Sequence, residues 1–415
     1  MSKEKLVPKL RFEGFTKPWK LTKFNEIADV ERGLTYHPSD IVEKGGVRVL
    51  RSSNIDEDRF ITKDDDVFVN ENAINIEFSQ KQNILITSAN GSPHLVGKHA
   101  ILEQLETPSV HGGFMLLART ASPYFLNASM SSDWYRKFIR YHVAGGGGSI
   151  GNIKKSDLEH QLIYIPSKEE QEKIGSFFKK IDEMIQLQQS KVNKVKDIKS
   201  AYLSEMFPKE GEKYPKKRFE GFTEPWKLTK FMEIAEVERG LTYHPTDIVE
   251  KGGVRVLRSS NIYEDTFITK DDDVFVNENA INIEFSNEKN ILITSANGSS
   301  RLVGKHAILE QLDTPSVHGG FMLLVRTARP YFLNASMSSD WYRKFIRYNV
   351  AGGGGSIGNI KKSDLEHQLI YIPSKEEQEK IGQFFKNLDN QISIEEEKLR
   401  KLRKLKQAYL NDMFV

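Results

Sequence analysis

Ala144, Gly145, Gly146, Gly147, Gly148, Ser149, Ile150, Gly151, Asn152, Ile153: this glycine-rich hinge is followed by a short apolar strand, Leu162–Ile165, that runs into Pro166. Behind it stands the longest periodic pattern in the chain. Ser167, Lys168, Glu169 and Glu170 read as a capping box, in which the Ser167 hydroxyl takes the N3 amide and Glu170 reaches back to the cap. Apolar residues then fall at Ile174, Phe178, Ile181, Ile185, Val192, Val195, Tyr202 and Met206, an a/d seam interrupted by Gln188 and Lys199. The spacing predicts one helix of about 39 residues rising roughly 58 Å, which is strut length and not ordinary globular length.

The chain contains this stretch twice. Ala351, Gly352, Gly353, Gly354, Gly355 and Ser356 repeat the hinge, and Pro373, Ser374 and Glu377 repeat the cap. The seam returns at Ile381, Phe385, Leu388, Ile392, Leu399, Leu402, Tyr409 and Met413, with Glu395 at the place of Gln188. One such helix alone would leave its seam wet. Two in one chain can bury their seams against each other, most simply as an antiparallel coiled-coil pair.

Working outward, the whole unit is written twice. Arg11 to Phe15 return as Arg218 to Phe222, and the register then holds without a gap to the strut. About nine positions in ten are identical, so two complete domains share one core design. Within a repeat, Pro18–Leu21 and Phe24–Val30 suggest an edge strand or short helix on the body. Short β-rich runs follow at Val47–Leu50, Val67–Val69, Ile84–Thr87, Phe114–Ala118 and Leu162–Ile165. Ser131, Ser132 and Asp133 cap a helix through Tyr141, with Trp134 and Phe138 facing inward. Trp19, Trp226 and Trp341 also read as core. The fold class is α+β: a mixed body over 1–166, a strut over 167–207, a linker over 208–217, a second body over 218–373 and a second strut over 374–415.

Composition narrows the function classes. A chain of 415 residues has room for two or three domains, and the absence of cysteine removes disulfides and thiolate metal sites, which suits a reducing cytoplasm. No apolar run approaches membrane-spanning length, so no membrane partner is expected. The net charge is only +3, so any grip on nucleic acid must come from local clusters.

No catalytic motif emerges. The Asn/Asp-Pro-Pro-aromatic tetrapeptide of amino-methylating enzymes is missing, as is a His-Glu-x-x-His zinc motif. Gly91 to His99 resembles a P-loop but has one residue too many between glycines and no Ser or Thr after Lys98. Asp64, Asp65 and Asp66 read as carboxylates on a solvated turn, not as a metal site. The expectation is no catalytic residue, no metal and no cofactor held by this chain.

The polar loops are the candidate sites. Arg51, Ser52, Ser53 and Asn54 form one; Asn90, Gly91, Ser92 and His94 form another; His111, Gly112 and Gly113 form a third; and Gly145–Ser149 with Asn152 form the fourth. Their backbone amides can approach phosphates, while Asn, Ser, Arg and Lys reach base edges. Arg32, Lys98, Lys154 and Lys155 are the nearby cations, with Arg136 and Arg140 further along. In the second copy the loops are Arg258, Ser259, Ser260 and Asn261; Asn297, Gly298, Ser299 and Arg301; His318, Gly319 and Gly320; and Gly352–Ser356 with Asn359. Arg239, Lys305, Lys361 and Lys362 are the cations there. For any single loop, ordinary turn chemistry is the competing reading. Two matched bodies on a spacer shift the balance, because that is how a protein reads two half-sites.

The residues then match a known family. Ile153, Leu158, Ile165, Pro166, Glu170, Gln171 and Ile174 resemble the junction between target-recognition domain and helix in type I restriction–modification specificity subunits. Trp19, Phe24, Ile27, Ala28, Gly33, Leu34 and Thr35 resemble the start of such a domain, and Asn83–Ile86 with Gly91, Gly97 and Lys98 its middle. The resemblance implies a non-catalytic, DNA-reading subunit with two recognition domains about a pseudo-two-fold axis. It implies partners as well: double-stranded DNA, two adenine methyltransferase subunits that bind S-adenosylmethionine, and two motor–endonuclease subunits. Family members usually pair two different readers; here the readers are nearly the same, which predicts an interrupted palindrome with half-site centres about one helical turn (~34 Å) apart. The substitutions Pro93 and His94 to Ser300 and Arg301, and Asp56 to Tyr263, are expected to alter affinity more than sequence. A self-contained methyltransferase or nuclease, and a two-headed scaffold that binds no DNA, are the competing classes.

Overall fold

The computed structural model describes residues 7–43, 45–143, 151–250, 252–350 and 358–415. The chain separates into two compact units, one made of Met1–Gln189 with Glu397–Val415 and the other of Ser190–Glu396. The boundary cuts through both long helices, so each unit takes a body, the start of the strut behind it and the end of the other strut.

In the first unit two four-stranded sheets carry the body. Strands β1 (Lys20–Lys23), β2 (Asp29–Arg32), β3 (Ile41–Val42), β4 (Val47–Leu50), β5 (Ile55–Asp56), β6 (Arg59–Phe60), β7 (Val67–Val69), β8 (Ile84–Thr87), β9 (His99–Ile101), β10 (Ser109–His111), β11 (Met115–Arg119) and β12 (Leu162–Ile165) follow in order. One sheet is antiparallel in the order β2-β11-β8-β9; the other is mixed in the order β10-β4-β7-β3, with β10 parallel to β4. β1 pairs with β12, so the strand that enters the body closes against the strand that leaves it for the helix. Strand β8 is buried throughout, as its unbroken apolar run requires. Helices α1 (Pro123–Met130) and α2 (Asp133–Val143) cover the antiparallel sheet. On α2 the buried residues are Tyr135 and Phe138; Trp134 lies at the edge, its indole donating to Ser129 Oγ at 2.9 Å.

A short helix, α3 (Lys155–Glu159), leads to the strut α4 (Lys168–Glu205), a single helix of 38 residues. Ser167 Oγ accepts from the Glu170 amide at 3.4 Å, but the Glu170 side chain does not complete the predicted box. It is buried instead, gripped by Arg11 Nε and Nη2 at 2.7 and 2.8 Å. A charge that deep needs its partner, and the partner lies 159 residues earlier. Gly175 explains how the helix lies so close to α1: a Cβ there would sit 2.8 Å from the Phe125 amide nitrogen.

The seam is met by the other helix end. Phe178 and Ile174 are buried in one core with Trp19, Phe24, Phe125, Leu410, Met413 and Phe414. The Phe177 and Tyr409 rings meet edge to face at 4.9 Å, and Asp182 pairs with Lys406 at 2.6 Å, so the two segments run antiparallel.

The second unit repeats this construction. Its body carries helices α5 (Pro330–Met337), α6 (Asp340–Val350) and α7 (Lys362–His367), and the strut is α8 (Lys375–Asp412). Arg218 grips Glu377 at 2.7 Å, and Met206 and Phe207 enter the core beside Trp226, Phe332 and Phe385. Tyr202 meets Phe384 at 4.8 Å and Lys199 meets Asp389 at 2.5 Å. Lys199 therefore does not break the seam as its sequence position suggests, because an acidic residue stands opposite it.

Candidate nucleic-acid interface

Loops far apart in sequence are laced into one face of the first body. Asn90 Nδ2 donates to Ser52 Oγ at 2.9 Å, and the Ser92 amide donates to Asn90 Oδ1 at 2.9 Å, an Asx turn that fixes the loop after β8. Ala89 forms an isolated antiparallel bridge with Asn152, and the Ile153 amide donates to the Ser88 carbonyl at 2.8 Å. The Phe114 carbonyl accepts from the Ser88 and Ala89 amides at 2.9 and 3.2 Å. Leu34 donates to His111 at 2.7 Å and Gly112 to Leu50 at 2.8 Å, which joins the remaining loops. Gly33 is required here, since any Cβ would strike the Gly112 carbonyl.

The second body makes the same lacing. Asn297 donates to Ser259 and the Ser299 amide to Asn297, each at 2.9 Å. Ala296 bridges Asn359, and the Phe321 carbonyl takes the Ser295 and Ala296 amides at 3.0 and 3.1 Å.

Not every sequence candidate lies on this face. Asn54 is fully buried, donating to Asp66 Oδ1 at 2.7 Å and to the Ile61 carbonyl at 3.1 Å while accepting from the Arg51 amide at 2.8 Å. Both polar atoms of that amide are engaged inside the body, so Asn54, and likewise Asn261, is buried and organises its loop and does not stand on the exposed face the sequence placed it on. Asp66 also leaves the solvated turn predicted for it: buried, it pairs with Arg48 at 3.2 Å. His111 and His318 are fully buried, and Gly112 and Gly319 are covered as well. These four shape the third loop from beneath; only Gly113 and Gly320 reach the surface.

The cations divide similarly. Arg32, Lys154, Arg239 and Lys361 are exposed. Lys155 and Lys362 each pair within the helix turn, with Glu159 and Glu366 at 3.5 Å. Arg51 and Arg258 are half-buried, as are Ser52, Ser53, Ser259 and Ser260. Lys98 turns away from the loops to line a cavity of about 670 Å³ with Arg136, Arg140, Asp182 and Lys406, and Lys305 lines its counterpart of about 810 Å³. Asn152, Asn359, Gly91, Gly298, His94 and Arg301 are exposed. Pro93 fixes a 3₁₀ turn over Pro93–Leu95, whereas the copy with Ser300 and Arg301 is a plain turn. Gly145–Ser149 and Gly352–Ser356 lie outside the described residues. The residue the sequence reading missed is Phe114. The β-rich run Phe114–Ala118 places it in strand β11, but it stands on the turn before it, 75% exposed, as does Phe321. An aromatic directly after a Gly-Gly pair was the available signal.

Burial drives the His111 and His318 imidazoles down to about 4. Both are neutral when folded, and the unfolded chain, titrating near 6.5, binds more protons between those values. The stability they allow is therefore complete above pH ~6.5 and is lost as pH falls towards 4, by about 3 kcal/mol for each histidine. Urea unfolding at pH 7 and pH 5 should show that decline, and His111→Gln should flatten it for the first unit. An unchanged slope in the variant would remove His111 as its source.

Among the described residues no group of three or more His, Asp or Glu side chains is placed to hold a metal ion, and no helix is long and apolar enough to cross a membrane. The sequence pattern of the type I restriction modification DNA specificity domain matches residues 16–197 and again 223–404. This chain belongs to the type I restriction–modification specificity family. It is 26% identical over 385 residues to the type I restriction enzyme EcoKI specificity subunit of Escherichia coli K12, covering 88% of this chain and 80% of that one. With the MjaIX specificity subunit of Methanocaldococcus jannaschii it shares 22% over 298 residues, 69% of this chain and 66% of the relative. The fold of the S subunit of a type I system from M. genitalium superposes with a TM-score of 0.64 over 99% of both chains, at 14% identity. As a specificity subunit, the chain is a DNA-recognition component built from an internal duplication.

Proposed function

We propose that each body reads one half of a split DNA site through the laced face, and that the helix pair spaces the readers and docks the partner subunits. The observation that carries this is the coupling of half-buried Ser52 and Asn90 with exposed Phe114 and Asn152 into one edge, repeated by Ser259, Asn297, Phe321 and Asn359. Such an edge offers amide and hydroxyl groups at fixed spacing, which is what base-edge recognition needs. Lys154 and Lys361, exposed beside the Asn bridges, supply phosphate contacts. The chain performs neither methyl transfer nor cleavage; adenine methyltransferase subunits carrying S-adenosylmethionine, and motor–endonuclease subunits, do so in a cytoplasmic complex.

Near-identical readers on antiparallel helices should see the same half-site in opposite orientation. A methylation map of DNA treated with this chain, its methyltransferase partner and S-adenosylmethionine should therefore show an interrupted inverted repeat with N6-methyladenine on both strands. An asymmetric split motif would show that the few substitutions, Arg301 first among them, redirect one reader. No methylation by a verified complex would end the DNA-reading assignment.

A further inference from the structure

The loop face carries one feature that hydrogen-bond recognition does not use. Phe114 exposes 75% of its surface on the turn before β11 and joins none of the apolar clusters of the first unit's described residues. Its mount is rigid. The carbonyl is held by two amides, Ser88 and Ala89, and Gly112 beneath it is confined, a Cβ there lying 3.1 Å from Val49 and 3.3 Å from the Leu50 carbonyl. A single exposed phenylalanine is unremarkable on a protein surface. A rigidly mounted one is different when its carbonyl is held by Ala89, the residue before Asn90 and the bridge partner of Asn152. An exposed ring on a fixed turn beside residues that meet base edges has its apolar face directed at the same ligand.

We propose that Phe114 and Phe321 each insert into a base step of the DNA, one per half-site, unstacking it and holding the duplex in register. Apolar wedges of this type unstack a step at a cost of a few kcal/mol and recover it through added contact. The wedge then contributes specificity by deformability, favouring pyrimidine–purine steps, which unstack most easily. This rests on the loop face being the DNA interface.

The test uses the assembled complex with its methyltransferase partners and without S-adenosylmethionine. Its duplexes carry the mapped site with 2-aminopurine at one position at a time, the methylated adenines excluded. Fluorescence should rise at one step in each half-site. Phe114→Ala should remove the rise in one half-site only, Phe321→Ala in the other, and Phe114→Leu should retain part of it. Affinity for the matched duplex should fall roughly 5- to 150-fold per ring removed. The dependence on salt should stay the same, because a phenyl ring neutralises no phosphate. A wild-type complex that binds its site with no rise, or a rise that survives both substitutions, overturns the wedge and leaves the interface standing. Failure of the wild-type complex to distinguish its site from other DNA overturns the interface reading itself, and the wedge with it.

Discussion

Phe414→Ala should destabilise the first unit by about 3–5 kcal/mol, the range for emptying an aromatic site in a packed core. Phe414 is next to the last residue of the sequence, a position where truncation would ordinarily be harmless. Here its ring lies 6.0 Å from Trp19, 5.9 Å from Phe125 and 5.8 Å from Phe178. Trp19 stands just before β1, Phe125 on α1 and Phe178 on α4, so the ring joins the body to the strut. The loss should be local. A chain of two units need not unfold in one step, so a single melting temperature would blur the effect. Hydrogen exchange read peptide by peptide resolves it: protection should fall across β1, α1 and the first turns of α4, and should hold across α5 and the start of α8. Phe207→Ala should give the mirror result, since Phe207 fills the same site beside Trp226, Phe332 and Phe385 at 5.9 to 6.0 Å. Unchanged protection in the first unit after Phe414→Ala would show that the ring is not part of its core.

The duplication, the struts and five of the first body's twelve strands were readable because each is a local pattern. A period of seven marks Ile174 to Val195, and short β-rich runs mark β4, β7 and β8 without reference to anything distant. What escaped was set by partners. Glu170 has the right spacing for a capping box, but Arg11 lies 159 residues away, and nothing in either stretch announces the pair. Lys199 looks like a fault in the seam until Asp389 is opposite it. Asn54 and Asn90 are equally good loop asparagines by composition. Only folding buries the first against Asp66 and leaves the second beside Ser52. The candidate face was thus legible as a set of loops, and the choice of residues within it was not.

Reciprocity gives the last and largest expected effect. The principal contacts that close the first unit onto the end of α8 have their equivalents in the second unit at the end of α4. Phe177 with Tyr409 answers to Phe384 with Tyr202, and Asp182 with Lys406 answers to Asp389 with Lys199. Glu57 with Arg403 answers to Glu264 with Lys196, and Phe414 among its aromatics answers to Phe207. Each body is therefore closed by a helix end that its own repeat also possesses but sends to the other unit. A fragment of residues 1–207 carries a body needing an end and an end needing a body. Alone, it would leave Trp19, Phe125 and Phe178 open to water; as a pair, each copy would supply Tyr202, Met206 and Phe207 to its partner. The fragment should therefore run as a dimer in sedimentation and show body protection that rises with concentration, because folding and association are then one equilibrium. Phe207→Ala in the fragment should shift that equilibrium to unprotected monomer, with both bodies of the pair affected at once. A fragment that stays monomeric with a fully protected β1 and α1 would mean that a body closes without the exchanged helix end.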